Sequence, residues 1–170
     1  HGVKKLLSKD GYFIIESPHL LSLIEKTEFD TIYHEHLSYL LIKPLVGIMN
    51  EHGMRIAKVK KSDIHGGSVR IYIEHAKKAD TSDGSVAQII KEEQSAGLHD
   101  IKKYLAFGEK VEKIHSELKS KLQTLKKQGN KICAYGASAK GNILLNYCGI
   151  GKDYLECIFD DTPEKQGKLY

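Results

Sequence analysis

A chain of 170 residues with 41% hydrophobic and 28% charged side chains has room for one domain or two small ones, and its composition is that of an ordinary globular protein. The net charge of +4 is mild and spread along lysine-rich stretches, which leaves no nucleic-acid footprint but suits an anionic small substrate such as a diphosphate. Three cysteines without CxxC spacing argue against a disulfide framework and a cysteine zinc site. No apolar run spans a bilayer and no signal peptide opens the chain, so a cytoplasmic protein without a membrane partner is expected.

Val3 to Leu7 read as the last turns of a helix, and Lys9-Asp10-Gly11 turns the chain into the apolar run Tyr12-Phe13-Ile14-Ile15. A strand this apolar is expected inside a parallel sheet, covered on both faces. One strand cannot make that sheet, and the chain closes at Lys168-Leu169-Tyr170 just after a turn-like Asp160-Asp161-Thr162-Pro163. A fragment lacking sequence at both ends is therefore expected. Leu20 to Glu25 is a short helix, and Phe29 to Leu41 reads as a mostly extended, buried loop. Pro44 suits the first turn of a helix with Leu45, Ile48 and Met49 on its apolar face and Gly53 as its C-cap. Met54 to Lys60 alternates apolar with charged residues. Ser68 to Glu74 alternates too, with Val69, Ile71 and Ile73 opposite Arg70 and Tyr72. The two form an antiparallel pair around Ile64-His65-Gly66-Gly67.

Residues 77–84 are polar and loop-like, and Ser85 to Gln94 is a helix. From Leu98, the residues Ile101, Leu105, Val111, Leu118, Leu122 and Leu125 keep helical spacing. One long helix to about Lys127 is predicted, interrupted or closely packed at Gly108. A βαβ half-unit follows: strand 132–135, a glycine-rich turn, helix 141–147, strand 155–159 and then Asp160-Asp161.

Three clusters carry chemistry. Tyr33-His34-Glu35-His36 sets four polar side chains in an apolar stretch, where burial is costly unless they are paired. Histidine is suited to taking a proton near neutral pH, and a carboxylate can orient it. A satisfied structural network, or a weak His34/His36 metal pair without a third ligand, remain open beside that reading. His65-Gly66-Gly67-Ser68-Val69-Arg70 could hold a phosphate or sugar hydroxyl, or be a plain bulged turn. Gly136 to Asn142 follows a strand and opens a helix, the context of an anion site. It is no Walker loop, because Asn142 stands where the lysine belongs, and Ser138 replaces the middle glycine of a dinucleotide fingerprint. Asp160 lies where a ribose-binding acid would sit.

These segments, in this order, resemble the sugar C-methyltransferases of deoxysugar biosynthesis. The carrying residues are Phe29 to Tyr39, His65 to Arg70, Tyr135 to Asn142, Leu144 to Ile150 and Asp161 to Gly167. The resemblance implies the α/β end of a class I methyltransferase sheet over residues 1–76, a helical connector over 77–130 and the Rossmann-like start of a C-terminal domain over 131–170. It also implies S-adenosylmethionine as cofactor and a nucleotide-linked keto-deoxysugar as substrate. A base removes the proton beside the ketone, and the enolate attacks the sulfonium methyl. The base role falls on His36, with Tyr33 and Glu35 lining the pocket and Tyr33 donating to the keto oxygen. His34, His65, Ser68, Arg70, Ser138, Lys140 and Asn142 are candidate substrate contacts. The zinc-binding segment and the glycine-rich cofactor half of such enzymes are absent from this chain, so the chain alone should not methylate. Competing expectations are an NAD- or nucleotide-binding regulatory module, from the terminal βαβ unit, and a scaffold domain, from the long helix.

Overall fold

The computed structural model describes residues 1–76 and 83–169, so most of the polar loop expected over 77–84 lies outside the described residues. The chain divides into two units, His1–Glu28 with Ser38–Leu105, and Phe29–Leu37 with Ala106–Tyr170. Together the elements make a mixed α/β protein.

The first unit holds α1 (Gly2–Leu6), β1 (Phe13–Pro18), α2 (Leu20–Lys26), α3 (Ile42–Glu51), β2 (Met54–Ser62), β3 (Ser68–His75) and α4 (Ser85–Ser95). Its strands form an antiparallel sheet in the order β1-β3-β2. The expected pairing of β2 with β3 is present. Val69, Ile71 and Ile73 of the central strand are sealed against Ile42, Met54, Ile56, Val59 and Ile89. A bulge between Ile56 and Lys58 inserts one residue into β2, so that Ile56 faces Ile73 while Val59 faces Ile71. Both ends of the inward face are thereby kept on the core.

Among the described residues, the apolar run at β1 has one strand neighbour. It pairs antiparallel with β3 and lies at the edge of the described sheet. Phe13 and Ile15 pack on the core, whereas Ile14 is 51% exposed and Tyr12 meets Tyr72 edge-on at 6.3 Å. Side chains two apart share a face, so only one half of the run is covered.

The second unit contains a 3-10 turn at Phe29–Thr31 and a parallel pair, β4 (Cys133–Tyr135) and β5 (Cys157–Phe159), linked through α6 (Ala139–Cys148). The predicted βαβ order is present, with α6 starting two residues earlier than the apolar pattern indicated. Helix α5 (Ile101–Lys127) contributes its residues from Ala106 onward to this unit. It runs unbroken through Gly108, and nothing lies within 4 Å of where a Cβ would stand there. The expected break or close contact at that glycine is absent, because one glycine costs a helix only about 1 kcal/mol. Among the described residues, no helix is long and apolar enough to cross a membrane, and no cluster of three or more potential ligands is arranged for a metal ion.

Candidate functional site

The segment around His36 is built by local bonds. Phe29 and Thr31 are buried anchors, the Ile32 amide donates to Phe29 O at 3.0 Å, and the His36 amide donates to Tyr33 O at 2.9 Å. His36 Nδ1 lies 2.7 Å from the Thr31 carbonyl. A carbonyl only accepts, so Nδ1 carries the hydrogen and Nε2 of the neutral ring keeps its lone pair. The Tyr33 ring lies 4.4 Å from the His36 ring, tilted by 36°. Tyr33 and His36 are half-buried, while His34 and Glu35 are exposed and Leu37 is 89% exposed.

The expectation of an extended, buried loop is therefore corrected. The chain turns twice within a few residues, and water reaches most of the polar groups, so the desolvation cost never arises. The ring is oriented by a main-chain carbonyl. Among the described residues, Glu35 has no hydrogen-bond or ion-pair partner.

His65, Ser68 and Arg70 belong to the first unit, whereas Tyr33 to His36 belong to the second. His65 takes left-handed angles (φ 53, ψ 38), and Gly66 and Gly67 follow at φ +84 and +138. The Lys26 ammonium donates to Gly66 O. Ser68 is buried, and its hydroxyl donates to Ile64 O at 2.9 Å, which closes the turn from inside. Arg70 pairs with Glu16 across the strands, Nε at 2.7 Å and Nη2 at 2.6 Å from Glu16 Oε2. That carboxylate raises the guanidinium's pKa above its ordinary value, and any phosphate would have to compete with it.

The glycine-rich turn before α6 is likewise occupied by the chain itself. Ser138 caps the helix, its Oγ accepting from the Gly141 amide at 3.0 Å. Asp160 Oδ2 accepts from the Ala137 amide at 2.7 Å, and Oδ1 accepts from the Thr162 amide at 2.8 Å. Bonds from Thr162, then from Ala137 and Lys165, hold the Asp160 carboxyl well below the usual carboxylate range. The acid expected to meet a ribose thus grips the turn. Asn142 Oδ1 accepts from Asn146 Nδ2 at 2.7 Å. A broad cleft of about 1150 Å³ opens beside β5, lined by Ala137, Asn142, Leu145, Ile150, Phe159 and Asp160 among others. Of the candidates Ser138, Lys140 and Asn142, only Asn142 reaches it.

Two groupings escaped the sequence reading. Tyr147 of α6 donates to Glu112 of α5, with His115 Nδ1 at 3.5 Å from the same carboxylate and Phe29 at 5.3 Å from the Tyr147 ring. In the first unit, His19 and Glu93 are buried together. The Tyr147–Glu112 and His19–Glu93 partners lie more than thirty residues apart, so neighbouring residues carry no sign of them.

Residues 63–170 match the family model for the C-methyltransferase C-terminal domain. The chain belongs to that family. It is also similar to C-methyltransferase NovU of Streptomyces niveus, at 34% identity over 169 residues. That alignment takes in 99% of this chain and 40% of the relative, so the chain spans about 40% of the length of the curated protein it matches. The C-methyltransferase C-terminal domain match includes β3 and the whole β4-α6-β5 unit. It begins after His36, which lies in the part of the chain aligned to NovU alone.

Proposed function

We propose that this chain is part of a C-methyltransferase that methylates the carbon beside the ketone of a nucleotide-linked deoxysugar, with His36 as the base. Family membership supports methyl transfer. The observation that carries the assignment of the base is the bond from His36 Nδ1 to Thr31 O. It fixes the tautomer and leaves Nε2 able to accept a proton from a carbon acid. Tyr33, packed on the ring, has the one phenolic donor in this turn and would stabilise charge gathering on the keto oxygen. In this reading residues 1–76 close a class I methyltransferase sheet, 77–130 connect, and 131–170 begin a Rossmann-like domain.

S-adenosylmethionine is the methyl donor this reading requires. The one glycine-rich strand-to-helix turn spends its Ala137 amide on Asp160 and its Gly141 amide on Ser138. The same two bonds leave a dinucleotide pyrophosphate without those donors, which weighs against an NAD-binding module. The chemistry derived from these residues stops at removal of the sugar's proton.

The test uses the full-length protein. With substrate in deuterated water, the wild type is expected to wash deuterium into the carbon beside the ketone. His36→Ala should lose this exchange and about 10²–10⁴-fold in methyl transfer, with sugar binding retained. Undiminished exchange in His36→Ala removes the base assignment.

A further inference from the structure

We propose that Cys133 and Cys157 form a dithiol that closes to a disulfide across β4 and β5 by exchange with a small-molecule disulfide such as oxidised glutathione. The two residues are register partners in the parallel pair. Neighbouring strands lie about 4.7–4.9 Å apart, inside the range of about 4.4–6.8 Å between Cα atoms that a disulfide accepts. The Sγ atoms are already 3.2 Å apart, with the Cys157 thiol donating to Cys133 Sγ. Closing the bond calls for about 1 Å of side-chain movement.

The strands are held on either side of the pair. The Glu156 amide donates to Ile132 O at 2.9 Å, and the Gly136 amide donates to Phe159 O at 2.7 Å. Exposure alternates along both strands, and Cys133 and Cys157 are both exposed. A dissolved reagent can reach either sulfur. Cys148, the remaining cysteine, is fully buried. A chain whose cysteine spacing indicates no disulfide framework thus presents one pre-aligned pair.

The exchange balances in two displacements. The Cys133 thiolate attacks one sulfur of oxidised glutathione and releases one glutathione thiolate, leaving a mixed disulfide on Cys133. Cys157 gives its proton to solvent, attacks Cys133 Sγ and releases the second glutathione thiolate. Two cysteine thiols are oxidised, and one small disulfide is reduced to two thiols. In the dithiol, the bond to Cys133 Sγ pushes the Cys157 thiol up, so Cys133 is the sulfur that attacks first. The product closes a loop over residues 133–157, which contains the Gly136–Asn142 turn and α6.

The experiment treats the native full chain with oxidised glutathione, traps free thiols with an alkylating agent, and maps the peptides by mass. The expected result is a Cys133–Cys157 linked pair, lighter by two hydrogens, with no retained glutathione and with Cys148 alkylated only after unfolding. Cys133→Ser and Cys157→Ser should each keep one glutathione on the remaining exposed sulfur. Separate glutathione adducts on both cysteines of the wild type, or links only between two copies, would overturn the proposal. So would a Cys133–Cys157 yield in denaturant equal to that in the native protein.

Discussion

Glu93 of α4 reaches His19, its Oε1 lying 3.0 Å from His19 Nε2, with both side chains almost completely buried. The same carboxylate accepts from the Ile42 amide at 2.7 Å and the Lys43 amide at 3.3 Å. It therefore caps α3, whose own N-cap, Leu41, has no side-chain acceptor. Negative charge at that end also meets the favourable pole of the helix.

Glu93→Ala strips an acceptor from the buried imidazole and two amides. We expect a loss of about 3–5 kcal/mol, read as a lower midpoint in urea unfolding. Glu93→Gln keeps an oxygen for the Ile42 amide and should lose less. Equal losses in the two variants would mean that charge, and not capping, dominates this contact.

Two glycines should respond to alanine with opposite signs. At Gly67 the backbone is at φ +138, and a Cβ would stand 2.6 Å from Ser22 Cβ and 2.4 Å from its Oγ. Gly67→Ala should cost about 1–3 kcal/mol. At Gly108 a Cβ meets open space inside a helix, so Gly108→Ala should stabilise by about 0.5–1 kcal/mol. Thermal unfolding of the two variants beside the parent decides both.

Tyr33→Phe keeps the ring against His36 and removes only the hydroxyl. In the full-length protein we expect kcat to fall about 10²–10³-fold, with the unfolding midpoint unchanged. Parental turnover in this variant would take the phenol out of the chemistry.

Asp160 makes the second unit sensitive to acid. Its folded carboxyl is a stronger acid than an unfolded one, so the folded state holds fewer protons. The contribution is complete above the ordinary carboxylate value of about 3.9 and is lost as pH falls through the depressed folded value. Asp160→Asn should therefore melt below the parent at neutral pH, and the gap should close in strong acid. A constant gap across pH would show that the carboxylate's charge contributes nothing there.

Periodicity made much of this fold legible. Val69, Ile71 and Ile73 announced β3, and the spacing from Ile101 to Leu125 announced α5, because each pattern reports one face of one element. Tyr12 to Ile15 is apolar on both faces, and the described residues cover one of them. The Phe29 to Leu41 stretch misled. Its aromatic residues suggested burial, yet Phe29 and Thr31 alone are sealed and His36 bonds within a short turn. The His19–Glu93 pair and the grip of Asp160 on Ala137 had no local signature, since each joins residues that only folding brings together.

The ion pair between Arg70 and Glu16 is exposed, and such pairs contribute only about 0–1 kcal/mol to stability. Its value lies in alignment. A slip of β1 by two residues along its neighbour keeps the same face outward, but it sets Arg70 against Ile14 or Pro18 instead of a carboxylate. With Lys60 on its other flank, the guanidinium then loses its one acidic cross-strand neighbour and keeps a like charge beside it. A weak bond thus acts as a key to the register in which β1 lies beside β3.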